Sequence, residues 1–398
     1  MFLVGTKCNY MKSTIKSITV ITSNYPAPGH IANVFVQQLV HAIIDAGIIV
    51  TVVASQSIVH NLVHKVRFLP KHSEGVTENG NVYDIYRPYT LSFGNKNYFR
   101  RFTNWFNKRA IVSIVKVINS EVLYSHFWSS ALHAYEYAVN SNRPLFVACG
   151  EGDNELEDMV AKMSGEEIEF LSSAVTGVVS VSSENKRKCI DFGLITEDKI
   201  DVFPNCVNTK LFYRMDVTEL KNKLGITEND FVIGFVGFFV ARKGPDRIAK
   251  AIMKLNDPNI KVIFAGNNLS GYPYEFDCPG ILHKGPLDHE QLPLYMNCAD
   301  VFVMPTQKEG CCNAIVEALA IGLPIISSDG PFNDDILDEH NSIRLNPNDI
   351  DAIADAIKKL KEDKMLRQSM TEYSLSRHEE YSIQGRAKRI MEFINRLS

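Results

Sequence analysis

The chain has 398 residues, more than one hydrophobic core usually supports, so we expect two domains of ordinary size. Hydrophobic residues make up 45% and charged residues 22% of the sequence, which is an ordinary globular composition. The net charge of -4 and the pI near 6.3 argue against nucleic acid as the main partner, because binding a phosphate backbone requires a strong basic excess.

The eight cysteines contain no Cys-x-x-Cys pair and no accompanying His-rich spacing, so we do not expect a zinc site. We expect a reducing compartment. No apolar run approaches the roughly 20 residues that a membrane-spanning helix needs. The N-terminus lacks the long apolar core of a signal peptide, and Met11 is a candidate start beside Met1 because strand-like sequence begins only at Ser17. We therefore expect a cytoplasmic protein.

The first half opens with a short β-branched run at 17–22, which predicts a strand, and a turn at 24–30 follows it. Apolar residues then recur at a helical period over 34–46, and Gly47 ends this helix in the manner of a C-cap. An almost wholly apolar strand at 48–54 completes a β-loop-α-β unit.

Further strands are predicted at 122–124, 145–148 and 177–181, with helical segments between them. A polar connector extends from about 206 to 230. Alternation of strands and helices indicates an α/β doubly wound sheet.

After the connector the same alternation begins again. Strands are predicted at 231–237, 261–266, 301–305 and 323–328, and helices at 246–255, 317–321 and through most of 349–398. Two α/β domains of similar size should therefore meet near 205–230. Ligands of such sheets bind at the carboxyl ends of the strands, so we expect the functional site there.

Residues 305–324 form the segment richest in chemistry: a strand, a loop with Gly310, and a helix that starts near Asn313, a plausible N-cap. A helix N-terminus suits an anion such as pyrophosphate. Glu317, about one turn into the helix, could accept two hydrogen bonds from a ribose diol, and Glu309 in the loop could meet a sugar hydroxyl. Alternatively, these are two surface glutamates that flank an ordinary helix.

The frame Glu-Gly-x-x-Asn-x-x-x-Glu-Ala-x-x-x-Gly-x-Pro, which starts at Glu309 and ends at Pro324, resembles the signature of family-4 retaining glycosyltransferases of the "glycosyltransferases group 1" type. The resemblance implies a GT-B fold, in which two Rossmann-like domains face each other across a deep cleft. It implies an acceptor-side domain at 1–208, a nucleotide-sugar domain at 209–379, and a C-terminal helix at about 380–398 that packs back on the first domain. It also implies the donor contacts: Glu317 with the ribose, Glu309 with the transferred sugar, and the Gly310, Cys311, Cys312 and Asn313 region with the phosphates or sugar.

Two further segments resemble motifs of the same family. Residues 202–208 resemble its linker-entry motif, from which Cys206 and Asn208 depart. Residues 237–244 resemble its Gly-Arg-Leu-x-x-x-Lys-Gly segment, in which Lys243 matches the diphosphate-binding lysine. Phe238 stands where the family has arginine; Arg242 could replace that arginine or could point to solvent.

In the first half, His126 follows a strand end and resembles the family's cleft histidine, a catalytic or acceptor-side candidate; a structural histidine is the alternative. Gly29 resembles the glycine of the family's first loop, which approaches the donor closely, although a plain turn would also explain it. Glu151 and Asp153 follow another strand end and are candidates for facing the acceptor.

Two other patterns have structural explanations. Asp349 and Asp351 form the one single-spaced Asp pair, and we interpret them as the start of a helix rather than as a metal site. The basic and aromatic stretch at 95–119 could lie on an anionic membrane. We favour a helix that packs its aromatic residues inward and leaves a solvated basic face.

The resulting hypothesis is a retaining glycosyltransferase that uses a nucleoside-diphosphate sugar, needs no metal or other cofactor, and acts on a glycan or lipid-linked acceptor. Cell-surface polysaccharide or glycolipid biosynthesis is the expected setting, with Glu309, Lys243 and His126 as catalytic candidates. Peripheral contact with the inner face of the membrane stays open. The alternatives are a GT-B nucleotide-sugar epimerase and a non-enzymatic two-domain sugar-binding protein.

Overall fold

The computed structural model describes residues 14–27, 33–92, 100–151, 154–269 and 271–398, except for the side chains of residues 100 and 101. The chain divides into two compact units. The first contains residues 1–148, 165–178 and 388–398, and the second contains 149–164 and 179–387. The predicted domain limits at 208 and 379 stay a prediction.

Among the described residues, nine strands lie close to the predicted ones, and the sequence did not suggest the other seven, which include a hairpin at 72–86. In chain order, the strands are β1 (Ser17–Thr22), β2 (Ile49–Ala54), β3 (Gln56–Ser57), β4 (His72–Val76), β5 (Val82–Tyr86), β6 (Tyr89–Thr90), β7 (Val122–His126), β8 (Leu145–Cys149), β9 (Gly177–Ser180), β10 (Ile200–Val202), β11 (Phe231–Val236), β12 (Ile260–Ala265), β13 (Ile281–Gly285), β14 (Val301–Met304), β15 (Ile325–Ser328) and β16 (Ser342–Leu345).

The helices fall between the strands, as the alternation predicts. They are α1 (Val34–Asp45), α2 (Ile58–Val63), α3 (Arg100–Ile118), α4 (Trp128–Ala131), α5 (Tyr135–Asn140), α6 (Glu155–Val160), α7 (Gly165–Ala174), α8 (Ser183–Asp191), α9 (Thr218–Lys223), α10 (Pro245–Leu255), α11 (Leu292–Asn297), α12 (Asn313–Ile321), α13 (Ile350–Glu362), α14 (Lys364–Ser376) and α15 (Ile383–Leu397). Among them, no described helix is both long enough and apolar enough to cross a membrane.

The sheet of the second unit is wholly parallel and has the strand order β13-β12-β11-β14-β15-β16. Numbered along the unit, this is the order 3-2-1-4-5-6 of a doubly wound fold. Its central strands β11 and β14 are buried on both faces, which explains their nearly continuous apolar sequence. The chain reverses direction across the sheet between β11 and β14, so the loops after these two strands diverge there and leave a crevice.

The other sheet has the order β10-β9-β8-β7-β1-β2-β5-β4. Strands β1, β2, β5, β7 and β8 pair in parallel, and β4 joins β5 as an antiparallel hairpin. The direction of winding reverses between β1 and β7, so this sheet repeats the plan of the other one. The repetition of fold type that the sequence predicts is therefore confirmed.

Two predictions about local structure are wrong. The polar connector at 206–230 contains helix α9 and buries Phe212 and Val217 in the second unit's core, because its apolar residues are too widely spaced to form a visible pattern. In α3, the aromatic side chains do not pack inward: Phe102 and Trp105 are each 55% exposed. The inward face of α3 instead carries Thr103, Asn107, Ile111 and Val115.

Candidate functional site

The loops after β11 and β14 meet at the crevice of the second sheet. The first loop carries Arg242 and Lys243, and the second carries Glu309. Backbone hydrogen bonding joins the two loops directly, because the Gln307 N–H donates to the Arg242 carbonyl at 3.0 Å. The strand order thus brings together residues that are more than sixty positions apart in the chain.

Three donors converge on a single oxygen of Glu309. Its Oε1 accepts from Lys243 Nζ at 2.5 Å, from Arg242 Nη1 at 2.8 Å and from the Thr306 hydroxyl at 2.8 Å. The side chains of Glu309 and Lys243 are both only 13% exposed. In the described part of the chain, no hydrogen bond reaches the second oxygen, Oε2.

Lys243 remains a cation in this surrounding. Burial acts to lower its pKa, but the Glu309 carboxylate pairs with the ammonium group, and the pKa of Lys243 is raised above its ordinary value. An ammonium group that is almost buried and keeps its charge suits a site for an anion.

Arg242 points into the site, although its side chain is 35% exposed. Its Nη1 donates to the Lys308 carbonyl at 2.6 Å as well as to Glu309. Phe238, at the position where the family motif has arginine, is 54% exposed and offers no charge. A second cation therefore lies beside Lys243, although it comes from a different position in the loop.

Arg247 stabilises the two loops that carry these residues. No sequence motif pointed to Arg247. It is buried in the first turn of α10, where its Nη1 donates to the Ala241 carbonyl at 2.7 Å. Its Nη2 donates to the Pro305 carbonyl at 2.6 Å, so one guanidinium links the loops after β11 and β14. A Cβ added to Gly244 would come within 2.4 Å of this guanidinium, which explains a glycine there.

Asn205 is a second support that sequence reasoning treated as merely part of a linker motif. Its Nδ2 donates to the Cys311 carbonyl at 3.2 Å and to Asn313 Oδ1 at 2.8 Å. The Asn313 side chain therefore does not cap α12. The helix begins at Asn313 itself and Cys312 is the N-cap residue, so the predicted N-cap is wrong by one position. The reason is that Asn205 draws the Asn313 amide oxygen away from the helix end.

The two cysteines of the loop are neutral thiols. Burial raises the pKa of Cys311 to about 12, and burial also raises the pKa of Cys312. Thiolate chemistry is therefore not expected at 311–312, and what these residues offer a ligand is their backbone.

Gly310 lies against the loop after β8. A Cβ at this position would be 2.9 Å from the Gly150 carbonyl oxygen and 3.3 Å from that of Glu151. Glu151 is buried, and its carboxylate accepts from the Gly150 N–H at 3.0 Å. Lys308 Nζ also donates to Asn154 Oδ1 at 2.7 Å. The structure thus places Glu151 beside the Glu309 loop, and Asp153 lies outside the described residues.

Glu317 has surroundings of a different kind. It projects from the second turn of α12, and burial raises its pKa to about 8. Among the described residues, no hydrogen bond or ion pair reaches its carboxylate. Glu309 and Glu317 are each partly buried, which distinguishes them from fully solvated surface glutamates.

In the first unit, His126 ends β7, at the point where the winding of that sheet reverses. It is buried, with its ring centroid 5.3 Å from that of Phe35 and 4.4 Å from that of Phe127. Phe127 has φ 71° and ψ 152°, a strained combination for a residue with a side chain. Gly29, which the family resemblance assigns to a loop that approaches the donor, lies outside the described residues.

The interpretation of Asp349 as a helix cap is confirmed. Its Oδ1 accepts from the N–H groups of Asp351 and Ala352 at the start of α13, and Asp351 pairs with Lys254. Within the described ranges, no three His, Cys, Asp or Glu side chains are grouped so that they could hold a metal ion.

Comparison with known proteins agrees with this geometry. Residues 216–377 match the family model "Glycosyl transferases group 1". Over 209 residues the chain is 29% identical to the Escherichia coli UDP-Gal:alpha-D-GlcNAc-diphosphoundecaprenol alpha-1,3-galactosyltransferase, covering 50% of this chain and 54% of the relative. It is also 29% identical to the Staphylococcus aureus capsular polysaccharide biosynthesis glycosyltransferase CapM, covering 49% and 54%.

Solved structures show the fold over almost the whole chain. The sucrose-phosphate synthase from Thermosynechococcus elongatus superposes with a TM-score of 0.73 at 16% identity, covering 96% of this chain and 99% of that one. Anabaena HepE, in complex with UDP and glucose, superposes with a TM-score of 0.68 at 15% identity, covering 96% and 100%. The architecture is therefore that of a GT-B protein.

The match to the group 1 glycosyltransferase family model lies within the second unit of the chain. In sequence, the chain spans about half the length of the curated relatives it matches.

Proposed function

We propose that the protein transfers a sugar from a nucleoside-diphosphate donor to a glycan or lipid-linked acceptor, with retention of configuration and without a metal ion. The observation that carries the proposal is the meeting of Arg242, Lys243 and Glu309 at the crevice between β11 and β14. The names of the relatives support a setting in cell-surface polysaccharide or glycolipid biosynthesis.

The two cations would bind the diphosphate. When the bond to the sugar breaks, negative charge grows on the leaving diphosphate, and fixed positive groups stabilise that charge without reorganising. Lys243 and Arg242 already converge on one anionic oxygen, Oε1 of Glu309. The backbone amides at 310–312 and the first N–H groups of α12 would add hydrogen bonds to the phosphates or sugar. This set of donors supplies the charge stabilisation for which other transferases use a metal.

Glu309 would orient the transferred sugar. Its Oε1 is occupied by three donors, whereas Oε2 is free to accept from a sugar hydroxyl. We do not assign it the role of a covalent nucleophile, because the cations that hold Oε1 also reduce its nucleophilicity. Retention would follow from attack of the acceptor on the leaving-group face, with a phosphate oxygen taking the acceptor's proton.

Glu317 would bind the ribose. Its carboxylate has lost much of its hydration without gaining a partner, so two hydroxyl donors from a ribose diol would satisfy it. His126, at the corresponding edge of the first unit, is the candidate for the acceptor side, with Glu151 as a further one. Peripheral contact with the inner face of a membrane, through the stretch 95–119, completes the proposal.

A panel of nucleotide sugars in a thermal-shift assay would identify the donor, because a ligand of the native state raises Tm by mass action. The stabilising donor is then incubated with candidate acceptors in EDTA, and the anomeric configuration of the product is read by NMR. The proposal expects turnover in EDTA and a product with the donor's configuration. An inverted product or loss of activity in EDTA would overturn the mechanism.

The same assay separates the alternative functions. If the donor alone were isomerised without an acceptor, the protein would be an epimerase. If a free sugar bound tightly and no nucleotide bound, it would be a sugar-binding protein. Glu317→Ala should lose most of the donor-induced shift, whereas Glu228→Ala, at a site before β11 that no donor contact requires, should retain it.

A further inference from the structure

Helix α3 of the first unit carries an exposed stripe of aromatic and basic side chains. Phe102, Trp105, Arg109, Val112 and Lys116 are spaced by three and four residues, so they share one face of the helix. The opposite face packs into the first unit through Ile111 and Val115. The stripe is therefore the outward face of a well-anchored helix.

The side chains of the stripe contact one another. The Phe102 and Trp105 rings stack with centroids 6.1 Å apart, and Arg109 lies over the Trp105 ring at 5.7 Å. Lys116 lies 5.9 Å from the centre of the Tyr137 ring on α5. In the described part of the chain, neither Arg109 nor Lys116 forms an ion pair. Their positive charges are thus left for an external anion.

A groove of about 470 Å³ runs between α3 and α5 beside this stripe. The residues that line it include Trp105, Arg109, Val112, Lys116 and Tyr137. One carboxylate in the lining, Glu136, is already paired with Lys108. The groove therefore combines the aromatic side chains of Trp105 and Tyr137 with two cations that form no ion pair among the described residues.

We propose that α3 rests on an anionic lipid surface, with Phe102 and Trp105 in the interfacial layer and a lipid phosphate in the groove between Arg109 and Lys116. Trp and Phe partition to the boundary between headgroups and acyl chains, and nearby cations attract anionic lipids. An anionic lipid surface is thus the partner that we assign to the stretch 95–119. This assignment rests on the proposed function in one respect, namely that the acceptor is lipid-linked.

Charge and composition favour this face over the rest of the surface. The chain as a whole has a net charge of -4, so an anionic membrane would repel it unless a local positive face turned toward the lipid. A rival face exists at 62–67, where Leu62, Val63 and Val66 are exposed near Lys65 and Arg67. This rival face has no Phe, Tyr or Trp side chain. Its charge-reversal variant serves as the control for the variants of α3.

The two tryptophans of the chain make the test selective. Trp128 is fully buried and Trp105 is exposed, so a change in tryptophan fluorescence on adding vesicles reports Trp105. The full chain is mixed with phosphatidylcholine vesicles that contain or lack phosphatidylglycerol, with no donor or acceptor present. We expect a blue shift and sedimentation only with the anionic vesicles.

Variants then locate the contact. Arg109→Glu with Lys116→Glu should weaken vesicle binding by at least about tenfold, because two attractive charges become repulsive. Trp105→Ser should weaken it as well, and Trp105→Phe should retain binding while losing the fluorescence change. The matched charge reversal Lys65→Glu with Arg67→Glu should bind like the unaltered chain.

Equal binding to neutral and anionic vesicles, or loss of binding in the 65/67 variant but not in the 109/116 variant, would overturn the proposal. So would absence of binding to both kinds of vesicle. Because vesicle binding is measured without substrates, its failure would leave donor binding and turnover of a water-soluble acceptor untouched. Conversely, an active site without donor affinity would not alter the vesicle result.

Discussion

Glu309 and Glu317 stand eight residues apart and have opposite electrostatic surroundings. Glu309 lies in the loop after β14, where a lysine, an arginine and a threonine hold one of its oxygens. Glu317 lies in α12 without a partner among the described residues, and burial raises its pKa to about 8. The first carboxylate is therefore held by partners within the chain, whereas the second has no such partner among the described residues.

The difference arises from the elements that carry the two residues. The loop after β14 faces the loop after β11, which supplies the cations, because these strands adjoin where the winding of the sheet reverses. Glu317 projects from a helix whose neighbouring side chains are almost all buried and apolar. Residues of one short motif can thus have different surroundings: Glu309 pairs with two cations, and Glu317 projects from an apolar helix.

The largest effect on activity should come from removing Lys243, which pairs with Glu309. Lys243→Ala should lower kcat/KM for glycosyl transfer by roughly 10²–10³-fold, because it removes a fixed charge from the leaving diphosphate. Lys250→Ala is the matched control, since Lys250 pairs with Asp246 on the exposed side of α10. Steady-state kinetics with the identified donor would measure both. Equal losses in the two variants would contradict a specific role for Lys243.

Stability should separate the two glutamates. Glu309→Gln leaves two partly buried cations without their carboxylate, at a cost of about 2–4 kcal/mol, so Tm should fall by roughly 5–10 °C. Glu317→Gln breaks no ion pair. Because burial raises the Glu317 pKa above its ordinary 4.5, the folded chain holds a proton between about pH 4.5 and 8 that the unfolded chain lacks, and stability falls as pH rises through that window.

At pH 8, Glu317→Gln should therefore have a Tm equal to or above that of the unaltered chain. Differential scanning calorimetry of both variants would check the contrast. A drop of similar size in both would show that the two carboxylates do not differ in the way the structure indicates.

Nucleotide affinity should depend on pH through Glu317. Hydroxyl donors favour the carboxylate form, so ligand binding lowers the pKa of Glu317 from about 8. Affinity for the nucleoside diphosphate should rise roughly five- to tenfold between pH 7 and 8.5 and then level off. The phosphates are already ionised in this range. Isothermal titration should show the rise in the unaltered chain and a flat profile in Glu317→Gln; a rise in both would assign it to another group.

The smallest effect concerns the backbone between the two glutamates. Gly310→Ala would place a Cβ 2.9 Å from the Gly150 carbonyl oxygen, so the loop must shift at a cost of about 1–3 kcal/mol. We expect a Tm lower by a few degrees and weaker donor binding. Gly165→Ala, at an open position, is the control and should change neither. A Gly310→Ala chain with unaltered donor affinity would show that the loop's position is not critical.

Hydrophobic patterning predicted most strands of both sheets because parallel strands that are covered on both faces are continuous apolar runs, as in β11 and β14. It missed the hairpin of β4 and β5, because β4 has no fully buried residue and β5 buries only Tyr83 and Ile85. It also gave α3 the wrong orientation. A stripe of aromatic residues predicts burial only when no second apolar stripe exists, and Ile111 with Val115 provides one.

The motif located Glu309, Lys243 and Glu317, but it could not show what holds them. Arg247 and Asn205 act through backbone carbonyls of residues far away in the chain, and such contacts leave no spacing pattern. The direction of the Arg242 side chain likewise depends on the pairing of two loops. The raised pKa of Glu317 depends on burial by surrounding elements, which no local pattern reports.

The assignment of Glu317 to the ribose is tested most directly by comparing a ribonucleoside diphosphate with its 2′,3′-dideoxy analogue. Both ligands carry the base that stabilises the protein best. Calorimetric titration of the unaltered chain should show that the ribonucleotide binds about 10- to 100-fold more tightly, because two hydrogen bonds to a carboxylate are lost in the analogue. Glu317→Ala should bind the two ligands equally. Equal binding by the unaltered chain, or discrimination retained in the variant, would contradict the assignment of Glu317 to the ribose.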